Sequence, residues 1–339
     1  MSTPTTLNYC EEPILRRFWY PVAMSAAVTD APLARTLLGT ALVVWRPAAG
    51  EAASAALDRC PHRDSALSIG WLDGGNLVCP YHGWQFAPCG KAAHIPQLAE
   101  GLPVPPRAQL DTVQCTERYG WVWACLTDDP IVAIPEIPEY EDENWRRVPE
   151  FDWLYDCSAA HIVENNVDPA HIAFVHRESF GTPANARVES PEVSRTSFGI
   201  ELRSTNKVQA RPGEETPTVR STVTQVWAPF MQVIKITYPD GVGHIMLKAS
   251  TPIDNGTTRL LQTVLRTDSE AERPAADIIT FDEKVQDEDR FVLDRIVDPY
   301  PLDIRKNVHL ACDKGSIELR RMYGELLAGT WTPSIAGLG

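Results

Sequence analysis

One stretch constrains this chain more than any other: "CPHRDSALSIGWLDGGNLVCPYHGW", from Cys60 to Trp84. Cys60 and His62 form a Cys-x-His pair, and sixteen residues later Cys79 and His82 form Cys-x-x-His. Any fold must therefore bring two short loops together around a metal group. A structural zinc would use the same four residues, but a zinc finger keeps its cysteines together and its histidines together. Here each cluster carries one of each. That mixture suits an iron–sulfur centre with two Cys on one iron and two His on the other. Pro61 and Pro80 stiffen the loops, and Gly83 lets the backbone pass close to the cluster.

The remaining composition mainly excludes. The chain has 339 residues, enough for two domains or one large one, and a formal charge of −14, which argues against a nucleic-acid binder. The N-terminus lacks the apolar core of a signal peptide, and no run reaches the roughly 18 apolar residues of a membrane span. The reading is cytoplasmic, with no membrane partner. The eight cysteines are scattered, and outside the opening motif they read as small reduced side chains.

Along the chain, residues 36–126 read as short strands broken by turns, with a turn at Asp73-Gly74-Gly75-Asn76. Residues 131–150, rich in Pro and acid, read as a linker between a domain at 1–130 and one at 151–339. The second domain opens on a helix expected from Ala159 to His176. Strands are expected over Val193–Ala210, Val219–Trp227, Met231–Tyr238, His244–Thr251 and Arg259–Arg266, then helices from Pro274 to about Val297 and over about Cys312–Ala328. The fold class is α+β.

A second site lies in "VENNVDPAHIAFVH", Val163 to His176. His171 and His176 are five apart, about 140° around a regular helix, so one undistorted helix cannot converge them. Pro169 is a plausible cause of the required break. Asp168 lies three before His171, and Glu164 four before Asp168.

Together, "CPHR…CPYHGW" and Asp-x-x-His-x₄-His resemble the Rieske [2Fe–2S] motif and the mononuclear iron motif of the Rieske non-haem iron oxygenases. The length resembles their compact homotrimeric group, which includes dicamba monooxygenase, vanillate O-demethylase, caffeine N-demethylases and saxitoxin-pathway hydroxylases. The resemblance implies an N-terminal all-β Rieske domain and a C-terminal helix-grip catalytic domain, an antiparallel sheet with helices. It implies a [2Fe–2S] cluster on Cys60, His62, Cys79 and His82, and Fe(II) on His171, His176 and one carboxylate that completes a 2-His-1-carboxylate set with open positions. The resemblance places that carboxylate on a late helix, where "FDEKVQDEDRFVLDRI" offers Asp282, Asp287, Glu288, Asp289 and Asp294, of which Asp289 matches best and Asp287 next. Asp168 would join His171 to His82 of a neighbouring copy in a homotrimer. Glu164 stands where many relatives carry Asn, so it reads either as a further acceptor or as a solvated acid.

The implied activity uses O₂ and externally supplied electrons to hydroxylate, or O- or N-demethylate, a medium-to-large aromatic or heterocyclic substrate. Demethylation is hydroxylation of a methyl carbon followed by loss of formaldehyde. No dinucleotide-binding Gly-rich turn or plant-type ferredoxin run is present, which implies a separate NAD(P)H-dependent reductase, with or without a ferredoxin. The pocket candidates are Gln225, Trp227, Phe230, Met231, Ile234, Tyr238 and Met246, of which strand alternation admits about half. A Rieske electron carrier with a non-catalytic partner-binding domain is the rival reading, and a zinc-stabilised binding module a third.

Overall fold

The computed structural model describes residues 5–208, 218–297 and 299–334. It divides into two compact units, one of residues Arg16–Pro130 and one joining Met1–Leu15 to Ile131–Gly339. The first fifteen residues, counted with the N-terminal domain from sequence, thus belong to the other unit. There Leu7 N donates to Tyr300 O, and the Tyr9 hydroxyl accepts from Ala160 N.

The unit of residues Arg16–Pro130 is all β. Strands β1 (Tyr20–Met24), β9 (Gln114–Arg118) and β10 (Trp121–Cys125) form one antiparallel sheet in the order β1-β10-β9. Strands β2 (Leu33–Leu37), β3 (Thr40–Trp45) and β4 (Ser54–Leu57) form a second. The third holds β5 (Trp71–Asp73), β6 (Asn76–Val78), β7 (Gln85–Phe86) and β8 (Ala92–His94). The β5–β6 turn puts Gly74 and Gly75 at φ +55° and +83°, the mirror-image turn whose twist matches the flanking strands. Val43, Trp45, Leu67, Leu77, Phe86 and Leu110 pack into a core that includes both motif cysteines. The metal loops are therefore anchored on the strands that fill that core.

The other unit is built on a seven-stranded antiparallel sheet. Its strands are β11 (Arg146–Tyr155), β12 (Glu192–Arg195), β13 (Gly199–Val208), β14 (Thr218–Trp227), β15 (Met231–Thr237), β16 (Gly243–Pro252) and β17 (Thr258–Arg266). The order is β11-β17-β16-β15-β14-β13-β12. The single strand expected over Val193–Ala210 is two strands, β12 and β13, whose turn is closed by Thr196 N donating to Gly199 O; residues 209–210 lie outside the described residues. Helix α1 (Pro138–Glu141) precedes the sheet; α2 (Ala159–Val167), α3 (Ile172–Val175), α4 (Ala275–Leu293) and α5 (Lys314–Ala328) follow in chain order. Helix α2 packs on β14 and β16, α4 on β11, and α5 on β12 and β13. Gly329, at φ +68°, ends α5 in the left-handed cap that glycine adopts without strain. No helix among the described residues is long and apolar enough to cross a membrane.

The expected helix from Ala159 to His176 is broken. Asp168 sits at φ −98°, ψ 110°, the extended conformation that a following proline imposes, and the chain resumes helical geometry at His171. The ligand spacing is thus set by the break and not by helix pitch.

Candidate metal centres and the cavity beside them

In the β-rich unit, Cys60 and Cys79 are buried, and the His62 and His82 rings lie 4.4 Å apart between centroids. Both loops are tight: Asp64 N donates to Cys60 O, and Gly83 N to Cys79 O. Gly83 holds φ +72°, a conformation a side chain would strain. Trp84 stacks flat on His62, 4.6 Å between centroids, and its indole N–H donates to Gln97 Oε1. His62 Nδ1 is buried without a hydrogen-bond partner. Burial pushes the Cys60 thiol up to about 11, so it stays protonated unless a metal displaces its proton. An orphaned imidazole nitrogen beside two buried sulfurs fits a bound iron–sulfur cluster.

In the other unit, His171, His176 and Asp289 converge, with one ligand atom from each within 4.8 Å of the others. Asp289 Oδ1 lies 3.3 Å from His176 Nε2 and 3.8 Å from His171 Nε2. Two ligands at right angles on an ion with bonds of about 2.0–2.2 Å stand about 3 Å apart, so these two separations approach the edges of an octahedral face. The outer nitrogens fix the tautomers. His171 Nδ1 lies 2.6 Å from the main-chain oxygen of Asp168, and His176 Nδ1 lies 2.9 Å from Glu288 Oε2. Each oxygen accepts an Nδ1–H and turns the Nε2 lone pair toward the centre. Burial lowers His176 to about 4 despite the adjacent Asp289 carboxylate, leaving it a neutral ligand near neutral pH.

Helix α4 sorts the five candidate acids. Its buried face carries Asp282, Gln286, Asp289 and Leu293 at helical spacing. Asp289 alone of the five reaches both histidines. Glu288 stands behind His176 and accepts from Ser179 Oγ at 2.7 Å, so it orients the imidazole. Asp287 is exposed beside Arg290, and Asp294 accepts from Asp156 N. Asp282 is buried near Glu150. Burial and the Asp282 carboxylate push Glu150 well above its ordinary range, and burial raises Asp282 too, so the pair shares a proton. The Asp168 carboxylate accepts from Ala170 N, and its Oδ2 lies 3.9 Å from His171 Nδ1; the shorter bond to that ring is through the Asp168 carbonyl.

Glu164 is neither an iron-side acceptor nor a solvated acid. It forms a two-pronged ion pair with Arg320 of α5, at 2.9 and 3.2 Å. Several contributors had no distinctive sequence signal. Asn165 Nδ2 donates to Asp289 Oδ1, and Phe180 stacks on His176 at 4.8 Å. Gly181 N closes the turn by donating to His176 O, and a Cβ there would stand 2.0 Å from Ile172 O.

A cavity of about 120 Å³ opens beside the triad. Its sheet wall is cut from alternate residues, among them Ser204, Thr222, Thr224, Ile234, Ile236 and Met246, with Thr222 opposite Ile236 and Ile236 opposite His244. Of the seven pocket candidates, only Ile234, Tyr238 and Met246 line it. Gln225 and Trp227 are on β14 but out of phase with Thr222 and Thr224: Gln225 bonds Glu201, and Trp227 stacks on Phe198. Phe230 packs on Tyr9 and Tyr323, and Met231, though buried, does not line the cavity. Lys248, also on the wall, is buried and donates to Asn166 Oδ1 and Gln286 Oε1.

Comparison with known proteins matches both parts of the chain. Residues 155–329 match the vanillate O-demethylase oxygenase C-terminal domain, and residues 18–116 the Rieske [2Fe–2S] domain. The methylxanthine N1-demethylase NdmA of Pseudomonas putida is 31% identical over 93% of this chain and 90% of its own. The dicamba O-demethylase oxygenase component of Stenotrophomonas maltophilia is 35% identical over 52% of this chain and 51% of its own. The solved structure of Pseudomonas putida CBB5 NdmA with caffeine superimposes with a TM-score of 0.79 at 28% identity, covering 94% of this chain and 92% of that one.

Proposed function

The chain belongs to the Rieske oxygenases of the vanillate O-demethylase type, and on that premise we propose that Cys60, His62, Cys79 and His82 hold its [2Fe–2S] cluster, and His171, His176 and Asp289 its mononuclear iron. It is the oxygenase component of a system completed by a separate reductase. When bound, the two iron centres supply electron storage and the reduction of O₂ that oxidises a substrate C–H bond. The residues around them do the rest. Glu288 and the Asp168 carbonyl hold the imidazoles in one tautomer, Asn165 steadies the Asp289 carboxylate, and the cavity wall holds an aromatic or heterocyclic substrate beside the triad. NdmA and the dicamba enzyme are named as demethylases, and O- or N-demethylation is the reaction proposed here, with ring or side-chain hydroxylation as its close variant. A cytoplasmic location accords with an NAD(P)H-linked electron supply.

We also propose that the working assembly is a ring of three copies in which Asp168 links His171 to His82 of the next copy. Two features support it. A hollow of about 500 Å³ beside Asp168 and His171 is edged by Val297 and Val308, 85% and 92% exposed. Next to His82, Tyr81 is 63% exposed. Apolar groups this exposed beside a redox centre suit burial by another copy.

The observation that carries the oxygenase reading is the convergence of Asp289 on the two histidines. Iron analysis tests it: the wild type should hold about three irons per chain, and Asp289→Ala about two, with an unchanged cluster spectrum and no turnover. Two irons in the wild type would favour an electron carrier. Solution mass tests the ring.

A further inference from the structure

Two cations line the cavity beside the triad, Arg220 and Lys248. Lys248 is accounted for. Two amide oxygens accept from its ammonium, and the proton-sharing Glu150–Asp282 pair and Asp289 offset its charge. Arg220 is not. Among the described residues it has no ion pair and no side-chain hydrogen bond, and its Nε is buried without a partner. Its guanidinium lies 4.6 Å over the Phe180 ring, which itself stacks on His176. Arg266, directly across from His244 on β17, is already bonded to Asp268.

A second unfilled group faces the same end of the cavity. His244 is 6% exposed and lines the cavity; its Nδ1 lies 3.1 Å from the Tyr238 hydroxyl, and its Nε2 is buried without a partner. Burial, with arginines nearby, keeps this imidazole neutral. With the tyrosine hydroxyl donating to Nδ1, the proton sits on Nε2, which becomes a donor. Strand register brings these groups together. Ser221 pairs with Thr237, so the next position on each strand sets Arg220 across from Tyr238, and Ile236 pairs with His244. Strands β14 and β16 and the residue just past the end of β15 thus place an arginine, a histidine and a tyrosine at one end. Ile234, Ile236, Met246, Phe281 and Val285 supply apolar wall.

A guanidinium with no acid opposite among the described residues, next to an imidazole with no acceptor, is costly to bury unless a ligand completes it. We propose that Arg220 and His244 form the recognition site for an anionic group, a carboxylate or sulfonate, carried on the ring of the substrate. The guanidinium fork matches two oxygens of such a group, and His244 Nε2–H adds a neutral donor. Anchoring one end of a flat molecule on the sheet fixes which of its carbons faces the triad, so the same contact that selects the substrate also selects the position oxidised. This inference rests on the oxygenase reading above and narrows its substrate class to ring-bearing monoanions, excluding uncharged heterocycles.

The test is binding of matched probes to the anaerobic, iron-loaded enzyme by calorimetry: 3-methoxybenzoate against 3-methoxybenzamide, and 4-toluenesulfonate against 4-toluenesulfonamide. The wild type should bind at least one anion about tenfold or more tighter than its amide, the scale of one charge-assisted hydrogen bond. Arg220→Gln should remove that preference while amide binding stays within about threefold, and Arg220→Lys should restore part of it. Equal or stronger binding of the amides, no binding of either anion, or an equal loss of both classes in Arg220→Gln overturns the proposal. The cluster spectrum and iron content of each variant report folding independently. A wild type lacking the third iron sinks the oxygenase reading itself, whereas an iron-loaded wild type that prefers amides sinks only the anion site.

Discussion

Glu288→Gln isolates what a carboxylate behind a metal-binding imidazole contributes. In the wild type, Glu288 Oε2 lies 2.9 Å from His176 Nδ1 and 2.7 Å from Ser179 Oγ, and the side chain is 12% exposed. The amide has nearly the same shape. Its oxygen can still accept from Nδ1–H, so the tautomer that frees Nε2 survives. What disappears is the negative charge, turning a charge-assisted bond of roughly 1.5–3 kcal/mol into a neutral one of roughly 1 kcal/mol. The difference, about 0.5–2 kcal/mol, predicts iron binding weakened about 2–30-fold, overlapping the lower part of the 10–100-fold span typical of such outer partners. The assay is anaerobic Fe(II) titration of enzyme stripped at the mononuclear site, against a competing chelator, with the cluster spectrum as internal control. An unchanged dissociation constant would refute the reasoning. So would complete loss of iron in Glu288→Gln alongside retention in Asp289→Asn, because Glu288 would then be the ligand.

Asp168→Asn keeps the main-chain oxygen that His171 uses, so both iron centres should fill while oxidation of the reduced cluster in a single turnover slows at least about tenfold; an unimpaired rate would remove the proposed bridge. Arg320→Leu leaves the Glu164 carboxylate without its cation. Breaking a buried pair costs about 3 kcal/mol, a fall of roughly 6–12 °C in Tm for a unit of this size, and a change under about 2 °C in calorimetry would show that the pair contributes little. The hydrogen bonds from Arg46 hold Glu117 down to about 2. The stabilisation lost in Glu117→Gln should therefore be constant above the unfolded carboxylate value of about 4.3 and shrink as pH falls toward about 2; a Tm gap that widens on acidification would contradict it.

What the sequence revealed follows how local each signal is. Cys60, His62, Cys79 and His82 declare themselves because cluster ligands must sit in short loops at fixed spacing. The break at Asp168-Pro169 was legible because five residues on a helix cannot bring two side chains together. Residues next to each other on a helix were harder: Glu288 and Asp289 differ by about 100° of rotation, and composition alone cannot say which faces His176 Nε2 and which Nδ1. The cavity wall was half legible, since Ile234, Tyr238 and Met246 line it while Gln225 and Trp227 do not, and the phase of β14 depends on its pairing with β15. Nothing near Glu164 announces Arg320, 156 residues away. Arg195 of β12, bonded to Glu318 and Glu325 of α5, is equally silent in a linear reading.

The cavity wall and the metal ligands come from different kinds of element. His171, His176 and Asp289 ride on helices and the break between them, whereas Thr222, Ile234, Ile236 and Met246 project from strands. Each strand position is backed by neighbours that face away and carry the sheet's own packing, such as Val223 and Val233. A lineage can therefore exchange wall residues two at a time along a strand, redrawing what the pocket accepts, without disturbing the atoms that meet oxygen. For anyone redesigning specificity, that separation marks β14 to β16 as the place to build a library.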